Sequence, residues 1–127
     1  MKALLDTHAF LWAITNDPRL SRKAQQVFTG RNDLWFSAAS IWEIVLKVQR
    51  GRLSLPTPAG PYVVKRLVEN DIECLPITLD HILRLESLPL HHRDPFDRIL
   101  IAQSQEEKLP LITADSLFER YQIELIW

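Results

Sequence analysis

Cysteine is almost missing from this chain: Cys74 is the only one in 127 residues, so no disulfide can form within it. That fits a reducing compartment. Cys74 sits in the apolar run Ile72–Ile77 and is expected to be a small buried hydrophobe rather than a nucleophile. No hydrophobic run is long enough to span a bilayer, and Asp6 interrupts the N-terminal apolar stretch too early for a secretory core. A cytoplasmic protein with no membrane partner is the expectation. Glycine is scarce, at 3 residues against 8 prolines, and there is no repeat, low-complexity tract or interdomain linker. One domain over residues 1–127 is expected. An excess of either charge is also lacking: 15 basic and 16 acidic residues leave a net charge of -1. This argues against a broadly basic nucleic-acid face. Lys47, Arg50 and Arg52 nevertheless cluster locally, and a bound cation would invert the field of any acidic pocket.

Apolar runs and helical periodicities do alternate along the chain. Ala3–Leu5 reads as a buried strand ending at Asp6, and Thr7–Ile14 as a helix stopped by Asn16-Asp17-Pro18. Ser21 caps a second helix through about Phe28, with Gly30 near its end. Leu34–Ser37 is a second strand. The helix after it carries Ile41, Ile44, Val45 and Val48 at helical spacing and ends at Gly51. Leu55–Pro61 reads as a loop, and Pro61–Glu69 as a helix with Val63, Val64, Leu67 and Val68 on one side. Ile72–Ile77 is a third strand, Leu79–Ser87 a short helix, and Pro95–Glu107 a longer one. Leu109–Thr113, a helical turn after Asp115, and an edge strand over Ile123–Ile126 complete the reading. Such alternation predicts a parallel sheet covered on both faces, with ligands at the carboxyl ends of its strands.

Four acids fall at those ends or in the first turns of the following helices: Asp6, Glu43, Asp97 and Asp115. Each has a plain structural use as a helix cap, a first-turn charge or a turn residue. Together they can converge on one edge of the sheet. Two carboxylates ~4 Å apart repel by roughly 4 kcal/mol at an effective dielectric near 20. Either some hold protons or a cation compensates. An all-oxygen site suits Mg²⁺ or Mn²⁺, ions used with substrate phosphates in phosphodiester hydrolysis.

The segments LLDTHAFLW, SAASIWEI, HRDPFDRILIAQ and LITADSLF, in this order over essentially the whole chain, resemble the PIN-domain family, and most of all its VapC-type toxin branch. The resemblance implies a three-layer α/β/α PIN-like sandwich with a central parallel sheet. It implies a Mg²⁺- or Mn²⁺-dependent endoribonuclease acting on tRNA or ribosomal RNA, with an antitoxin partner and a twofold homodimer. Carried over by position, Asp6, Glu43, Asp97 and Asp115 become the catalytic and metal-binding acids. Asp94, three residues before Asp97, is second in line as a supporting or structural group. Thr7 and Thr113 carry hydroxyls near the acids, where they can orient carboxylates.

Arg93 and Arg98 flank the DPFD acids and are the candidates for RNA phosphate, because arginine binds phosphate in bidentate fashion. His91 and His92 are expected in a solvated loop and His81 on a helix surface. Trp12 and Trp42 are read as core packing or, under the family resemblance, as part of an apolar groove for an antitoxin helix. A haloacid-dehalogenase-type phosphatase would carry a second aspartate where this chain has His8, and a response-regulator receiver would pair acids at the first strand. The remaining alternative is a catalytically silent PIN-fold module that binds protein or RNA.

Overall fold

The computed structural model describes residues 1–127. Its strands are Lys2–Leu5 (β1), Asp33–Ser37 (β2), Ile72–Leu75 (β3), Leu111–Ile112 (β4) and Leu125–Ile126 (β5). Its helices are Thr7–Ile14 (α1), Arg22–Thr29 (α2), Ala38–Gln49 (α3), Ala59–Glu69 (α4), Leu79–Arg84 (α5) and Pro95–Glu107 (α6). Two 3₁₀ turns, Leu85–Ser87 and Ser116–Tyr121, follow α5 and β4. The sheet is wholly parallel, in the order β3-β2-β1-β4-β5.

Alternation along the strands divides the core into two layers. Ala3, Leu5, Leu34, Phe36, Ile72 and Ile112 face α1–α4 and pack against Phe10, Val27, Ile44, Val63 and Leu67. Leu4 and Leu111 face the other way, onto Leu100, Ile101 and Ala102 of α6 and onto Phe118. This is the three-layer α/β/α sandwich. The chain leaves β1 towards β2 and β3, then returns across the opposite face to lay β4 on the other side of β1. Strand order therefore reverses between β1 and β4, and the crevice at their carboxyl ends is where such sheets bind ligands.

Local chemistry sets the helix ends. Ser21 and Ser37 cap α2 and α3 by accepting from Ala24 N and Ala39 N at 3.1 and 3.0 Å. Gly51 follows α3 at φ +70°, a conformation that glycine adopts without steric cost. No helix is long and apolar enough to cross a membrane.

Several expectations need correction. Cys74 is exposed, because β3 lies at the sheet edge and has a strand on one side only. On α4 only Ala59, Val63 and Leu67 are buried. Val64 and Val68 turn outward, since the helix meets the core along one narrow stripe. The expected loop over Leu55–Pro61 ends early, at Ala59, where α4 begins. Strand β3 stops at Leu75 and β4 spans only Leu111–Ile112. His81 is fully buried rather than on a surface. It occupies the third position of α5, where Nδ1 accepts from Thr78 N at 3.0 Å in a capping box. Trp42 is 60% exposed, so core packing does not account for it; its ring meets the Phe96 ring edge-on at 5.0 Å.

Candidate active site

Asp6 is the residue at which β1 becomes α1. Its extended backbone makes it the cap of α1, and Oδ1 accepts from Thr7 N at 2.7 Å. Its other oxygen, Oδ2, accepts from the Thr113 hydroxyl at 2.7 Å. Thr113 follows β4, and its Oγ1 also accepts from Asp115 N at 3.1 Å, so one hydroxyl ties Asp6 to the segment that carries Asp115. Thr7 forms the next link: its hydroxyl donates to Glu43 Oε1 at 2.8 Å. Glu43 Oε2 lies 2.8 Å from Lys47 Nζ, one turn along α3. Asp6, Thr7, Glu43 and Thr113 are all buried.

Asp97 stands apart chemically. It lies in the first turn of α6, whose cap is Asp94; Asp94 Oδ1 accepts from Phe96 N at 2.8 Å and more distantly from Asp97 N. No hydrogen-bond donor lowers the Asp97 carboxyl. Burial pushes it up to about 7, and the charges of Asp94, Asp6, Glu43 and Asp115 push in the same direction. Those contributions place all the acids within electrostatic reach of one carboxyl. Asp6 is also raised, mainly by burial and in part by Glu43, against the lowering effect of Thr113, His8 and Thr7. Acidic groups thus crowd a partly buried carboxyl, and Asp97 is the one with no hydrogen-bond donor of its own.

Asp115 caps the 3₁₀ turn Ser116–Tyr121, with Oδ1 accepting from Leu117 N at 3.0 Å. An Asp115 oxygen, an Asp97 oxygen and a ring nitrogen of His92 all lie within 4.8 Å of one another. Carboxylate oxygens this close can hold a divalent cation, which would relieve the repulsion at Asp97.

A family model described as the PIN domain matches residues 3–124. The chain belongs to the PIN-domain family. Among curated protein sequences nothing matches it significantly. Solved structures similar to this PIN domain include VapBC2 from Rickettsia felis bound to a promoter DNA fragment, at TM-score 0.70 and 14% identity over 98% of this chain and 97% of that one. DNA-bound VapBC from Salmonella typhimurium is similar at TM-score 0.69 and 20% identity, over 98% and 96% of the two chains. VapBC-5 from Mycobacterium tuberculosis follows at TM-score 0.61 and 18% identity, over 98% and 96%.

In this PIN domain the four predicted acids come to one end of the sheet. Asp94 serves as a helix cap, and Thr7 and Thr113 bond directly to carboxylates. The two arginines part company. Arg98 donates to the carbonyls of Pro89, Leu85 and Leu88, which pins the preceding loop to α6. Arg93 is exposed.

His92 is the residue that sequence reasoning missed. It is buried, not a solvated loop residue, because the turn after Asp115 folds over it: its ring stacks on Phe118 at 4.6 Å and bonds Tyr121. A signal was present in the sequence. Asp115, Phe118 and Tyr121 recur every third residue, which in a 3₁₀ turn places them on one face.

Proposed function

We propose that this PIN domain is a metal-dependent endoribonuclease, the toxin of a VapBC-type toxin–antitoxin pair. The observation that carries the reading is the Asp97 carboxyl. It lacks a donor, lies within 4.8 Å of an Asp115 oxygen, and is pushed up to about 7 by burial and by the charges of Asp94, Asp6, Glu43 and Asp115. Asp6, Asp97 and Asp115 would hold a Mg²⁺ or Mn²⁺ ion. Glu43, whose two oxygens are held by Thr7 and Lys47, adds charge behind Asp6. When bound, the ion supplies Lewis-acid activation of water and stabilisation of charge on phosphate oxygens. Thr7 and Thr113 keep their carboxylates from rotating, which preorganises the site. Arg93, exposed beside the DPFD acids, is the phosphate contact.

The antitoxin reading rests on the VapBC neighbours and on a cleft of about 370 Å³ between α1, α3 and the segment after α3. Leu11, Trp12 and Leu53 line it beside Thr7 and Lys47, and a peptide helix with an apolar face fits such a groove. Pairing with a second copy would cover exposed apolar side chains such as Leu79, Ile82 and Leu83 of α5.

The deciding experiment is cleavage of total tRNA and ribosomal RNA in Mg²⁺, Mn²⁺ or EDTA, beside Asp97→Asn. Discrete products that need metal and vanish in the variant are expected. No cleavage by folded wild type in either metal would sink the nuclease reading and leave a PIN fold used for binding.

A further inference from the structure

His92 and Tyr121 form a bonded pair in which the direction of each proton can be worked out. A tyrosine hydroxyl has one proton to give and two lone pairs. Tyr121 Oη accepts from the backbone N–H of His92 at 2.7 Å. The only other polar atom bonded to that oxygen is Nδ1 of the same histidine, at 3.1 Å. Tyr121 is 2% exposed, so a hydroxyl proton turned anywhere else would lie in the interior with no acceptor. The hydroxyl therefore donates to Nδ1, and a neutral His92 ring must carry its own proton on Nε2. That nitrogen faces Asp115 Oδ2 at 3.4 Å. Stacking on Phe118, with planes 21° apart, holds the ring plane, and the Tyr121 contact at Nδ1 sets which edge points to Asp115.

We propose that His92 is a positioning residue of the site, locked by Tyr121 as the Nε2-protonated tautomer so that it donates to Asp115 and fixes that carboxylate beside Asp97. The inference rests on the metal-site reading above and extends it. Leu117 N holds one oxygen of Asp115 and His92 holds the other, so both are tethered from the protein side. Asp115 is the most exposed of the four acids: its side chain is 46% exposed, whereas that of Glu43 is 7% exposed. The 3₁₀ turn that begins at Asp115 supplies both Phe118 and Tyr121, so one short segment presents the acid and clamps the histidine that steadies it. Loss of an outer partner of this kind lowers metal affinity by about 10–100-fold.

The test has two parts. In the metal-free wild type, long-range ¹H–¹⁵N correlation at high pH reads the His92 tautomer directly. A protonated Nε2 and bare Nδ1 are expected, with Tyr121→Phe releasing the lock and mixing the tautomers; a protonated Nδ1 in wild type would overturn the proposal. Mn²⁺ affinity, read from the free-ion electron paramagnetic resonance signal, is then compared for wild type, His92→Phe and His92→Gln. The phenylalanine keeps the stack but donates nothing, and affinity should fall about tenfold or more. The glutamine amide can still donate to Asp115 and should hold affinity closer to wild type than the phenylalanine does. Unchanged affinity in His92→Phe would refute the role. So would imidazole nitrogen coupling to bound Mn²⁺, which would make His92 a ligand. Wild type that binds no Mn²⁺ would instead sink the metal-site reading, and the tautomer measurement, made without metal, separates the two failures.

Discussion

The Thr113 hydroxyl donates to Asp6 Oδ2 at 2.7 Å across 107 residues of sequence. It joins the ends of β1 and β4, the two strands between which the sheet reverses its order. Thr113 Oγ1 in turn accepts from Asp115 N, so a single side chain sets the spacing of two acids. Replacing Thr113 with valine keeps the shape but removes both bonds. It should cost about 1–3 kcal/mol in urea denaturation, since a buried carboxylate and a backbone N–H lose their partner. Mn²⁺ affinity should fall with it. A variant with wild-type stability and affinity would show that the bond does not organise the site.

Asp97 makes the metal-free protein sensitive to pH in a defined direction. Its carboxyl rises from the ordinary 3.8 to about 7 on folding. Between those values the folded chain holds a proton that the unfolded chain has released, so stability is greatest below the window and declines as pH rises through it. Asp6 is raised too and acts in the same sense. In EDTA, melting temperature should therefore drop from pH 5 to pH 8, and Asp97→Asn should flatten much of that drop. Mg²⁺ at pH 8 should restore stability by binding only the folded state. Parallel pH profiles for variant and wild type would refute this account.

Arg98 and Arg93 should behave oppositely despite their similar distance from the acids in sequence. Arg98→Ala frees three carbonyls and should destabilise the fold by about 1–3 kcal/mol. Arg93→Ala should leave melting temperature unchanged and weaken RNA binding, measured in an Asp97→Asn background to prevent cleavage. Reversed outcomes would exchange their roles.

If the chain is a toxin, its expression alone should arrest bacterial growth, and Asp6→Asn should relieve the arrest at equal protein level. Equal growth with both proteins would count against the toxin reading.

Much of the architecture could be read from one-dimensional pattern. Helix α6 runs over the residues expected, Pro95–Glu107, because a capping aspartate, a proline in the first turn and an apolar stripe all act within a few residues. The positions of Asp6 and Asp115 just past strands, together with the alternation of strand and helix, placed both at one edge of a parallel sheet. Such features are local, so the sequence carries them openly.

What the sequence could not specify is which atoms those residues meet. His81 and His92 look alike on paper as polar residues in short or loop segments, yet both are buried by partners remote in the chain: His81 against Gln103 of α6, His92 under Phe118 and Tyr121. Arg93 and Arg98 differ by five positions, and only packing commits Arg98 to three carbonyls. Sequence by itself determined the order of elements, the sheet edge and the set of acids, because periodicity, caps and turn chemistry are short-range. Tertiary structure alone decided that Thr113 ties Asp6 to the Asp115 segment, that the Thr7 hydroxyl bonds Glu43, and that Asp97 is left without a donor. Those outcomes depend on distances between segments that meet only when the sheet assembles.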